Sequence, residues 1–521
     1  MTKWRKVIEL FIVLIIFTSV WFIINNSYLI TRDEMYYTYY SLYFDASETE
    51  DIRYTTEHDL YTLSMLPVYR FIQKAVVLIV GKNIVGIRLL LLLFSLIMLT
   101  VVWWGHNKKS ASFISFALFT FFIIADPKME YYLHNGRPDW IIMCIAVMMF
   151  VFIEMYLQSK RELYLYLATF TTALSTGIYW NGLPFLGAYV VAILILMLKK
   201  ILKWKTFLFI CMLAGSTFFV VFVLPLISQW QVFKALMVGE GFQTSDLTSG
   251  QAFYRYPRSL LLLIVKGLTN GIQILHGVIA AAFLFVYIIL RYKRKLSDYY
   301  RILFFMLLVV CVVYIVIVAV RGHGEGRFVN FLIPILFLYF AEMLVVLFTS
   351  IVGNLRYIRM AAIVFLLIFG VLSLGRTALY TLNNRGQWQA YNEYSKDIKA
   401  TIGKAEGRVF TTFDFWLALE QFPKLFLEVT KDNILYNYDE VKDMFDRYDV
   451  KYALVDERSK MRMSGKPDDH GIGGMWYRHW KELLDAEFVM IGTVYNQYYR
   501  QNKELHPKDL RGFETEIWKR K

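Results

Sequence analysis

The sequence predicts a multispanning α-helical membrane protein that carries a small α/β domain at its C-terminal end. Three observations predict this fold class. Hydrophobic residues make up 57% of the 521-residue chain and its mean hydropathy is +0.44, a composition typical of membrane proteins with many spans. Long apolar segments recur through residues 1–376, and basic residues cluster in alternate connections between them. From residue 377 onward charged residues become frequent and the pattern changes to short strands and helices.

About eleven segments contain the long apolar run that a membrane-spanning helix needs. They lie near residues 7–24, 84–104, 111–125, 139–157, 163–180, 183–198, 206–227, 270–290, 302–320, 328–348 and 360–375. Gly177, Asn181, Gly182 and Pro184 interrupt the fifth and sixth segments. This pair is therefore also compatible with a short hairpin that does not fully cross.

The charges of the connections predict the orientation of the chain. Basic residues cluster in the short connections of one side, at Lys3, Arg5, Lys6, Lys108, Lys109, Lys160, Arg161, Lys199, Lys200, Lys203, Lys205, Arg291, Lys293, Arg294, Lys295, Arg356 and Arg359. The positive-inside rule assigns these connections, and the N-terminus, to the cytoplasm. The longer loops 25–83, 126–138, 228–269 and 321–327 and the C-terminal part are then extracytoplasmic.

The excess of positive charge belongs to the membrane part of the chain. Residues 1–376 contain 33 Lys and Arg against 19 Asp and Glu, whereas residues 377–521 contain 23 of each class. We interpret this excess as a topology signal, because no motif for reading nucleic-acid bases accompanies it. Cys144, Cys211 and Cys311 are dispersed in apolar segments, which argues against a disulfide framework or a thiolate metal site.

The C-terminal part, residues 377–521, has the pattern of a small α/β domain. Residues 408–412 and 451–456 read as strands, residues 439–448 as a helix and residues 414–420 as the start of another helix. Residues 488–499 predict further strands, with Gly492 inside the run. We therefore divide the chain into a transmembrane domain, 1–376, and an extracytoplasmic domain, 377–521.

An acidic pair, Asp33-Glu34, follows the first apolar segment and precedes Met35-Tyr36-Tyr37. Adjacent carboxylates are unfavourable close to a bilayer, so their presence there indicates a function. The structural alternative is that the pair stabilises the start of a helix at Met35, where negative charge is favourable.

A second polar motif, Asn135-Gly136-Arg137-Pro138-Asp139-Trp140, opens the fourth predicted span on the outer side. Pro138 suits a first helical turn and Asp139 suits a helix N-terminus, so a purely structural role for an Arg137–Asp139 pair is an alternative. If this helix neighbours the one that follows Asp33, carboxylates and a guanidinium meet at the outer mouth of the bundle.

Further candidate residues lie in the other outer loops. Arg255 and Arg258 flank Tyr256-Pro257, where the alternative role of the aromatic residues is anchoring at the membrane interface. His323 and Arg327 lie in the glycine-rich turn Arg321-Gly322-His323-Gly324-Glu325-Gly326-Arg327, which reads equally as a solvated turn or as a close approach to a ligand. His58, in the first outer loop, is a candidate substrate contact or an ordinary loop histidine.

Four motifs, in this order and on the same predicted side, resemble those of GT-C glycosyltransferases that use polyprenyl-phosphate-linked sugars. This superfamily includes the protein O-mannosyltransferases and the lipid A aminoarabinose transferase. The motifs are Asp33-Glu34, Gly81-Lys82-Asn83 with Arg88, Gly136-Arg137-Pro138-Asp139, and Glu325-Gly326-Arg327 through Pro334 and Ala341. Where many members carry His-Pro-Pro, this chain has His58-Asp59-Leu60. The C-terminal domain carries no motif of the superfamily that we can assign.

The resemblance implies a GT-C fold and transfer of a sugar from a polyprenyl-phosphate donor to an acceptor hydroxyl on the extracytoplasmic face, with inversion at the sugar carbon. It implies that Asp33 acts as the general base, with Glu34 and Asp139 as supporting acids. Basic residues are expected to bind the donor phosphate or the sugar, because the arginine fork matches phosphate oxygens. These residues are Arg137, Arg255, Arg258 and Arg327, with His58 and His323 as further contacts.

The predicted partners are membrane lipid, the polyprenyl-phosphate sugar, and a glycolipid, glycan or protein acceptor, without nucleic acid. The chemistry is compatible with Mg²⁺ or Mn²⁺ bridging an acid and the donor phosphate, although no metal-ligand spacing in the sequence predicts a site. Residue usage favours a bacterial plasma (inner) membrane, with the active site and C-terminal domain in the periplasm or outside the cell.

Three other functions stay open at this point: a lipid-linked sugar transporter or flippase, an oligosaccharide polymerase or ligase, and a noncatalytic scaffold. Transporters usually carry repeats and place functional charges at mid-bilayer. Here no repeat is visible and only Glu154 and Glu342 lie well inside predicted spans. A polymerase or ligase does not require an acidic pair after the first span.

Overall fold

A computed structural model of the chain describes the structure of most of its residues. The described residues are 2–27, 32–42, 52–54, 67–106, 112–179, 181–227, 271–292, 298–320, 331–349, 356–404, 406–411, 415–427, 438–456, 460, 475–496 and 513–521. The fold is mostly helical and includes one six-stranded sheet.

The helices are numbered in chain order. They are α1 (Thr2–Asn25), α2 (Arg32–Leu42), α3 (Pro67–Val80), α4 (Ile84–His106), α5 (Ser112–Ala125), α6 (Pro127–His134), α7 (Asp139–Ser159), α8 (Glu162–Ser175), α9 (Gly182–Leu198), α10 (Trp204–Phe218), α11 (Gly271–Tyr292), α12 (Asp298–Val320), α13 (Ile333–Thr349), α14 (Arg356–Asn383), α15 (Gln387–Ile402), α16 (Tyr438–Arg447) and α17 (Met475–Glu487). A π-helical turn, Phe219–Val223, and the short helix Leu224–Ile227 extend α10. The strands are β1 (Ile52–Tyr54), β2 (Arg408–Thr411), β3 (Lys424–Leu427), β4 (Val450–Asp456), β5 (Phe488–Asn496) and β6 (Phe513–Arg520).

Each of the eleven predicted apolar segments coincides with a helix. Within the described residues, five helices are long and apolar enough to cross a membrane, and five shorter apolar helices accompany them. The interruption predicted within residues 175–184 is real, because α8 ends at Ser175 and α9 begins at Gly182. A Cβ atom on Gly182 would lie 2.6 Å from the Ser175 carbonyl oxygen, so glycine permits this close approach. The number of spans and their orientation stay predictions.

The chain forms two compact units. The first unit comprises Met1–Phe22, Ser64–Ile72 and Leu89–Leu379, and the second comprises Ile23–Leu63, Gln73–Arg88 and Tyr380–Lys521. The second unit therefore contains residues of the first predicted outer loop in addition to the C-terminal residues.

Helix α7 is the buried centre of the first unit. The most apolar 18-residue stretch of this helix is entirely buried, which matches a sequence that is hydrophobic on every face. Close packing is visible at both ends of the helix. Near its start, Trp140 Nε1 donates to Ser95 Oγ of α4 at 2.7 Å. Near its end, a Cβ atom on Gly105 of α4 would lie 2.5 Å from Val151 Cγ1, so glycine lets the two helices approach.

The second unit is built on a mixed sheet with strand order β1-β3-β2-β4-β6-β5. Strands β1, β3, β2 and β4 run parallel to one another, and β6 pairs antiparallel with both β4 and β5. Helices α16 and α17 cover an apolar core in which the Phe410 and Trp480 ring centroids are 4.4 Å apart. The strands predicted at 408–412 and 451–456 and the helix predicted at 439–448 are confirmed over their described residues, and residues 488–496 form one strand, β5. The helix expected to start within 414–420 is instead a single 3-10 turn, Leu417–Leu419. The pairing of β5 with β6 is irregular between Met490 and Gly492.

Strand β1 was not indicated by the sequence. It pairs with β3 in parallel, with Ile52 opposite Leu425 and Tyr54 opposite Leu427. Three residues between polar segments give little periodicity, so only the partner strand makes this segment recognisable. Part of the first outer loop is therefore a structural element of the C-terminal sheet.

Candidate functional site

The polar segment between α5 and α7, residues 126–139, is the candidate site of the first unit. Asp126 caps α6 through its carboxylate, which accepts hydrogen bonds from the backbone amides of Lys128 and Met129 at 3.0 Å each. Pro127 occupies the first turn, where the missing amide proton is not needed. The Asp-Pro start thus explains why a short helix forms here between two long apolar ones.

The turn after α6 places Arg137 and Asp139 together, as the structural alternative for this motif expected. Gly136 adopts a φ of +56°, which glycine tolerates, and its carbonyl oxygen accepts a hydrogen bond from the Tyr69 hydroxyl at 3.0 Å. Arg137 Nε lies 2.7 Å from Asp139 Oδ2 in an ion pair whose side chains are 11% and 5% exposed. Asp139 is the first residue of α7, where the helix dipole favours its negative charge.

Glu130 is a buried carboxylate of the same segment. Its Oε2 accepts a hydrogen bond of 2.6 Å from Thr377 Oγ1 of α14, and the residue is 5% exposed. Burial raises the pKa of Glu130 from 4.5 to about 7, against the lowering effects of the Thr377 hydrogen bond and the nearby Arg376. A carboxyl group that titrates near neutral pH is suited to proton transfer.

His134, at the end of α6, completes this segment. Its Nδ1 lies 2.9 Å from the Glu130 carbonyl oxygen, and its ring stacks on Trp21 with centroids 5.8 Å apart. Trp21 Nε1 in turn donates to the Leu133 carbonyl at 3.4 Å. The sequence analysis assigned a role to neither Glu130 nor His134. The Asp-Pro-x-x-Glu pattern at 126–130 was the available signal, because it marks a capped polar helix between apolar segments.

The candidate site of the second unit is the segment that carries Asp33 and Glu34. Glu34 forms a bidentate ion pair with Arg88, with Arg88 Nε 2.7 Å from Oε2 and Nη2 2.8 Å from Oε1. Both side chains are 0% exposed. Arg88 Nη1 also donates to the backbone oxygen and Oδ1 of Asn25, at 3.2 and 3.1 Å.

Hydrogen bonds from neighbouring residues also hold α2 in place. Gln73 Nε2 donates to the Ile87 carbonyl at 2.8 Å and to Thr38 Oγ1 at 3.3 Å. The Gly81-Lys82-Asn83 turn begins α4, because Asn83 Oδ1 accepts from the Gly86 amide at 3.0 Å and Gly81 supplies a φ of +105°. The Gly-Lys-Asn turn thus begins the helix that carries Arg88.

The remaining predicted site residues are placed as follows. Asp33 lies in the first turn of α2, immediately before Glu34, and its side chain is outside the described part of the structure. His58, Arg255, Arg258, His323 and Arg327 also lie outside the described residues. Among the described site residues, the structure therefore brings Arg137 to Asp139, and it pairs Glu34 with Arg88. The convergence of Asp33 with Asp139 stays a prediction.

These two ion pairs differ in what they can do chemically. Arg88 makes four hydrogen bonds to Glu34 and Asn25 and has no exposed surface, which suits it to holding the polypeptide. Arg137 retains partial exposure next to a carboxylate and beside a glycine turn. A guanidinium of this kind can donate two hydrogen bonds to the oxygens of a phosphate while its carboxylate partner keeps it oriented.

A mostly helical chain that also contains a six-stranded mixed sheet is a fold for which solved examples exist. The chain shares its fold with solved structures of ArnT. It matches the crystal structure of ArnT from Cupriavidus metallidurans bound to undecaprenyl phosphate with a TM-score of 0.60 and 12% identity, over 97% of both chains. The apo structure of the same protein matches with a TM-score of 0.58 and 13% identity, over 96% of this chain and 97% of that one. No protein-family model and no curated sequence matches the chain.

Proposed function

We propose that the protein is an integral-membrane glycosyltransferase that moves a sugar from a polyprenyl-phosphate donor to an acceptor hydroxyl on the extracytoplasmic face. The observation that carries this proposal is the fold shared with ArnT over nearly the whole chain, because one of those structures contains undecaprenyl phosphate. The ordered motifs around Asp33, Arg88 and Asp139 are consistent with it.

In this reaction the acceptor oxygen attacks the anomeric carbon as its proton passes to a carboxylate base. The bond from that carbon to the phosphate oxygen breaks, and polyprenyl phosphate leaves. We assign the base to Asp33, since the carboxylate of Glu34 is already occupied by Arg88. A single displacement of this kind inverts the sugar carbon, and a positioned base contributes about 10²–10⁴-fold in rate.

Stabilisation of the leaving phosphate is assigned to Arg137. Its guanidinium has the geometry to bind two phosphate oxygens, and Asp139 at 2.7 Å fixes its orientation at the start of α7. Positive charge held in place before the reaction stabilises the developing phosphate charge most strongly where water is excluded. Arg255, Arg258, Arg327, His58 and His323 stay candidate contacts to the rest of the donor.

Glu34 acts, in this proposal, as a positioning residue. Its bidentate pair with Arg88 holds the start of α2, and therefore the backbone of Asp33, against Asn25 at the end of α1. Replacement of Glu34 is expected to reduce transfer by displacing α2. The conservative variant Glu34→Asp then retains more activity than Glu34→Gln, because the charge is kept.

The test is sugar transfer by purified protein in proteoliposomes, supplied with undecaprenyl phosphate that carries a radiolabelled sugar and with a cell-envelope extract as acceptor. Mass spectrometry of lipids that co-purify with the protein identifies the sugar to use. Asp33→Asn is expected to lower transfer by about 10²–10⁴-fold without lowering the unfolding temperature. Asp397→Asn, the same substitution on the exposed face of α15, is the matched control and should transfer normally.

Two results would overturn the proposal. Near-normal transfer by Asp33→Asn removes this residue as the base. Movement of the labelled lipid between leaflets without cleavage of the sugar–phosphate bond identifies a flippase instead. A polymerase or ligase is recognised by a product in which whole oligosaccharides, rather than single sugars, are transferred.

A further inference from the structure

Three polar side chains meet inside the first unit, away from the candidate site. They are His106, the last residue of α4, Glu154, in the last two turns of α7, and Glu342, in the middle of α13. Their relative exposures are 0%, 2% and 3%. One ligand atom from each residue lies within 4.8 Å of the other two.

The packing around this cluster explains how the three residues come together. Gly105 precedes His106, and the absence of a side chain there permits the close approach of α4 to α7 at Val151. His106 Nε2 lies 2.5 Å from Glu342 Oε1, which links α4 to α13. Gln158, one helical turn after Glu154, donates to Glu154 Oε1 at 3.1 Å and orients that carboxylate.

The carboxylate and imidazole groups of this cluster are suited to binding a cation. Ionised carboxylates are unfavourable in an apolar interior unless they are paired or coordinate a metal. A divalent cation that is bound by both carboxylates would offset both of their charges. An imidazole nitrogen together with two carboxylate oxygens is a donor set that suits Zn²⁺ and related first-row metals.

We propose that His106, Glu154 and Glu342 form a binding site for one divalent transition-metal ion of the Zn²⁺ class. Because each ligand comes from a different helix, the ion joins α4, α7 and α13. Glu154 is fifteen residues after Asp139 on α7, which corresponds to about 22 Å along the helix axis. The metal therefore serves structure at the opposite end of the helix and takes no part in the proposed sugar transfer.

The experiment uses the full chain, purified in nanodiscs through an affinity tag that contains no histidine and then stripped with a chelator. Zn²⁺ alone is titrated in competition with a fluorescent chelator, and Co²⁺ is titrated while its visible absorption spectrum is recorded. We expect one ion per chain, a Co²⁺ spectrum of low coordination number, and an unfolding temperature that rises when Zn²⁺ is added. Glu154→Gln and Glu342→Gln are each expected to weaken Zn²⁺ binding more than about 100-fold, because loss of a direct ligand exceeds the effect of an outer-sphere change.

His479→Gln is the matched control. His479 Nδ1 also lies 2.9 Å from a glutamate, Glu482, but this pair lies on the surface of the other unit, with side chains 27% and 44% exposed. Zn²⁺ binding by this variant should equal that of the wild type. Binding that persists equally in the Glu154 and Glu342 variants would identify adventitious surface metal and overturn the proposal.

The wild-type titration decides the proposal even if a variant fails to fold. Less than one tenth of an equivalent of Zn²⁺ and no Co²⁺ spectrum would identify the cluster as a buried ion-pair network without metal, which overturns the proposal. The result is also independent of the proposed transferase function, because metal binding is measured without donor or acceptor. A chain that binds Zn²⁺ but fails to transfer sugar would contradict only the transferase.

Discussion

Two of the described arginine–carboxylate pairs, Glu34–Arg88 and Arg137–Asp139, have the same chemistry but different surroundings. In the second unit, Glu34 and Arg88 are fully buried, and Asn25 satisfies a further guanidinium nitrogen. In the first unit, Arg137 and Asp139 are two residues apart at the start of a helix, and Arg137 is 11% exposed. Both pairs belong to motifs that resemble those of GT-C glycosyltransferases.

This difference indicates that burial decides the role of a charged motif. A fully buried ion pair is suited to a structural role, whereas a partly exposed pair can also contact a substrate. A fully buried pair cannot release its arginine to a substrate without leaving a charge uncompensated. A pair at a glycine turn, with its carboxylate stabilised by a helix N-terminus, can exchange one contact for a phosphate oxygen at lower cost. We therefore expect substitutions in the first pair to lower stability and substitutions in the second to lower activity.

The largest expected effect is that of Arg88→Met on stability. Removal of the guanidinium leaves the Glu34 carboxylate buried and uncompensated, which lowers the free energy of unfolding by about 3–5 kcal/mol. The double variant Glu34→Gln, Arg88→Met should recover much of this loss, because no ionised group remains buried. The measurement is equilibrium unfolding in detergent, monitored by tryptophan fluorescence. Arg137→Met is the control, and a loss as large as that of Arg88→Met would contradict the comparison.

The second effect concerns activity. Arg137→Gln should lower the rate of sugar transfer by about 10²–10³-fold, because a fixed charge opposite the leaving phosphate is lost. Arg137→Lys should restore part of the rate, since the charge returns without the fork geometry. Both variants should unfold close to the wild-type temperature. Wild-type turnover by Arg137→Gln would separate the Gly-Arg-Pro-Asp motif from catalysis.

A third prediction concerns Glu130, a buried carboxylate that accepts a hydrogen bond from a hydroxyl group instead of pairing with a guanidinium. Because the pKa of Glu130 is about 7 in the folded protein and 4.5 as a reference, the folded state binds more protons between these values. The contribution of Glu130 to the free energy of unfolding is therefore fully present below pH 4.5 and is lost as pH rises through 7, by about 3 kcal/mol at most. Glu130→Gln should remove this decline and be more stable than the wild type at pH 8.

Unfolding measured at pH 5, 6.5 and 8 checks this prediction. The Thr377→Val variant sharpens it, because loss of the hydrogen bond that lowers the pKa of Glu130 should move the decline to higher pH. Parallel pH profiles for the wild type and Glu130→Gln would exclude Glu130 as the titrating group.

Local patterns predicted most of the secondary structure. Apolar runs located the long helices, and Pro138-Asp139 correctly indicated the start of a helix, with the Arg137–Asp139 pair that was the structural alternative for this motif. These features depend on neighbours within a few residues, which a sequence displays directly.

Long-range partners were not predictable in the same way. Glu34 pairs with Arg88, 54 residues later in the sequence, and Glu130 accepts a hydrogen bond from Thr377, 247 residues later. Strand β1 pairs with a strand that begins at Lys424. The sequence identified Glu154 and Glu342 as acids inside spans, but His106 stands beside a basic connection and resembles an ordinary helix-end residue. Only the packing of α4 against α7 and α13 brings the three together.

The smallest effect extends the comparison to an exposed pair. Lys82 Nζ lies 2.7 Å from Glu420 Oε1, yet these side chains are 34% and 41% exposed. Because water and salt screen such a pair, a double-mutant cycle with Lys82→Ala and Glu420→Ala should give a coupling free energy below about 1 kcal/mol. The coupling should fall further in 0.5 M salt, which leaves the coupling of Glu34 with Arg88 nearly unchanged. A coupling between Lys82 and Glu420 that equals the buried pair's would mean that desolvation does not separate structural from replaceable ion pairs in this protein.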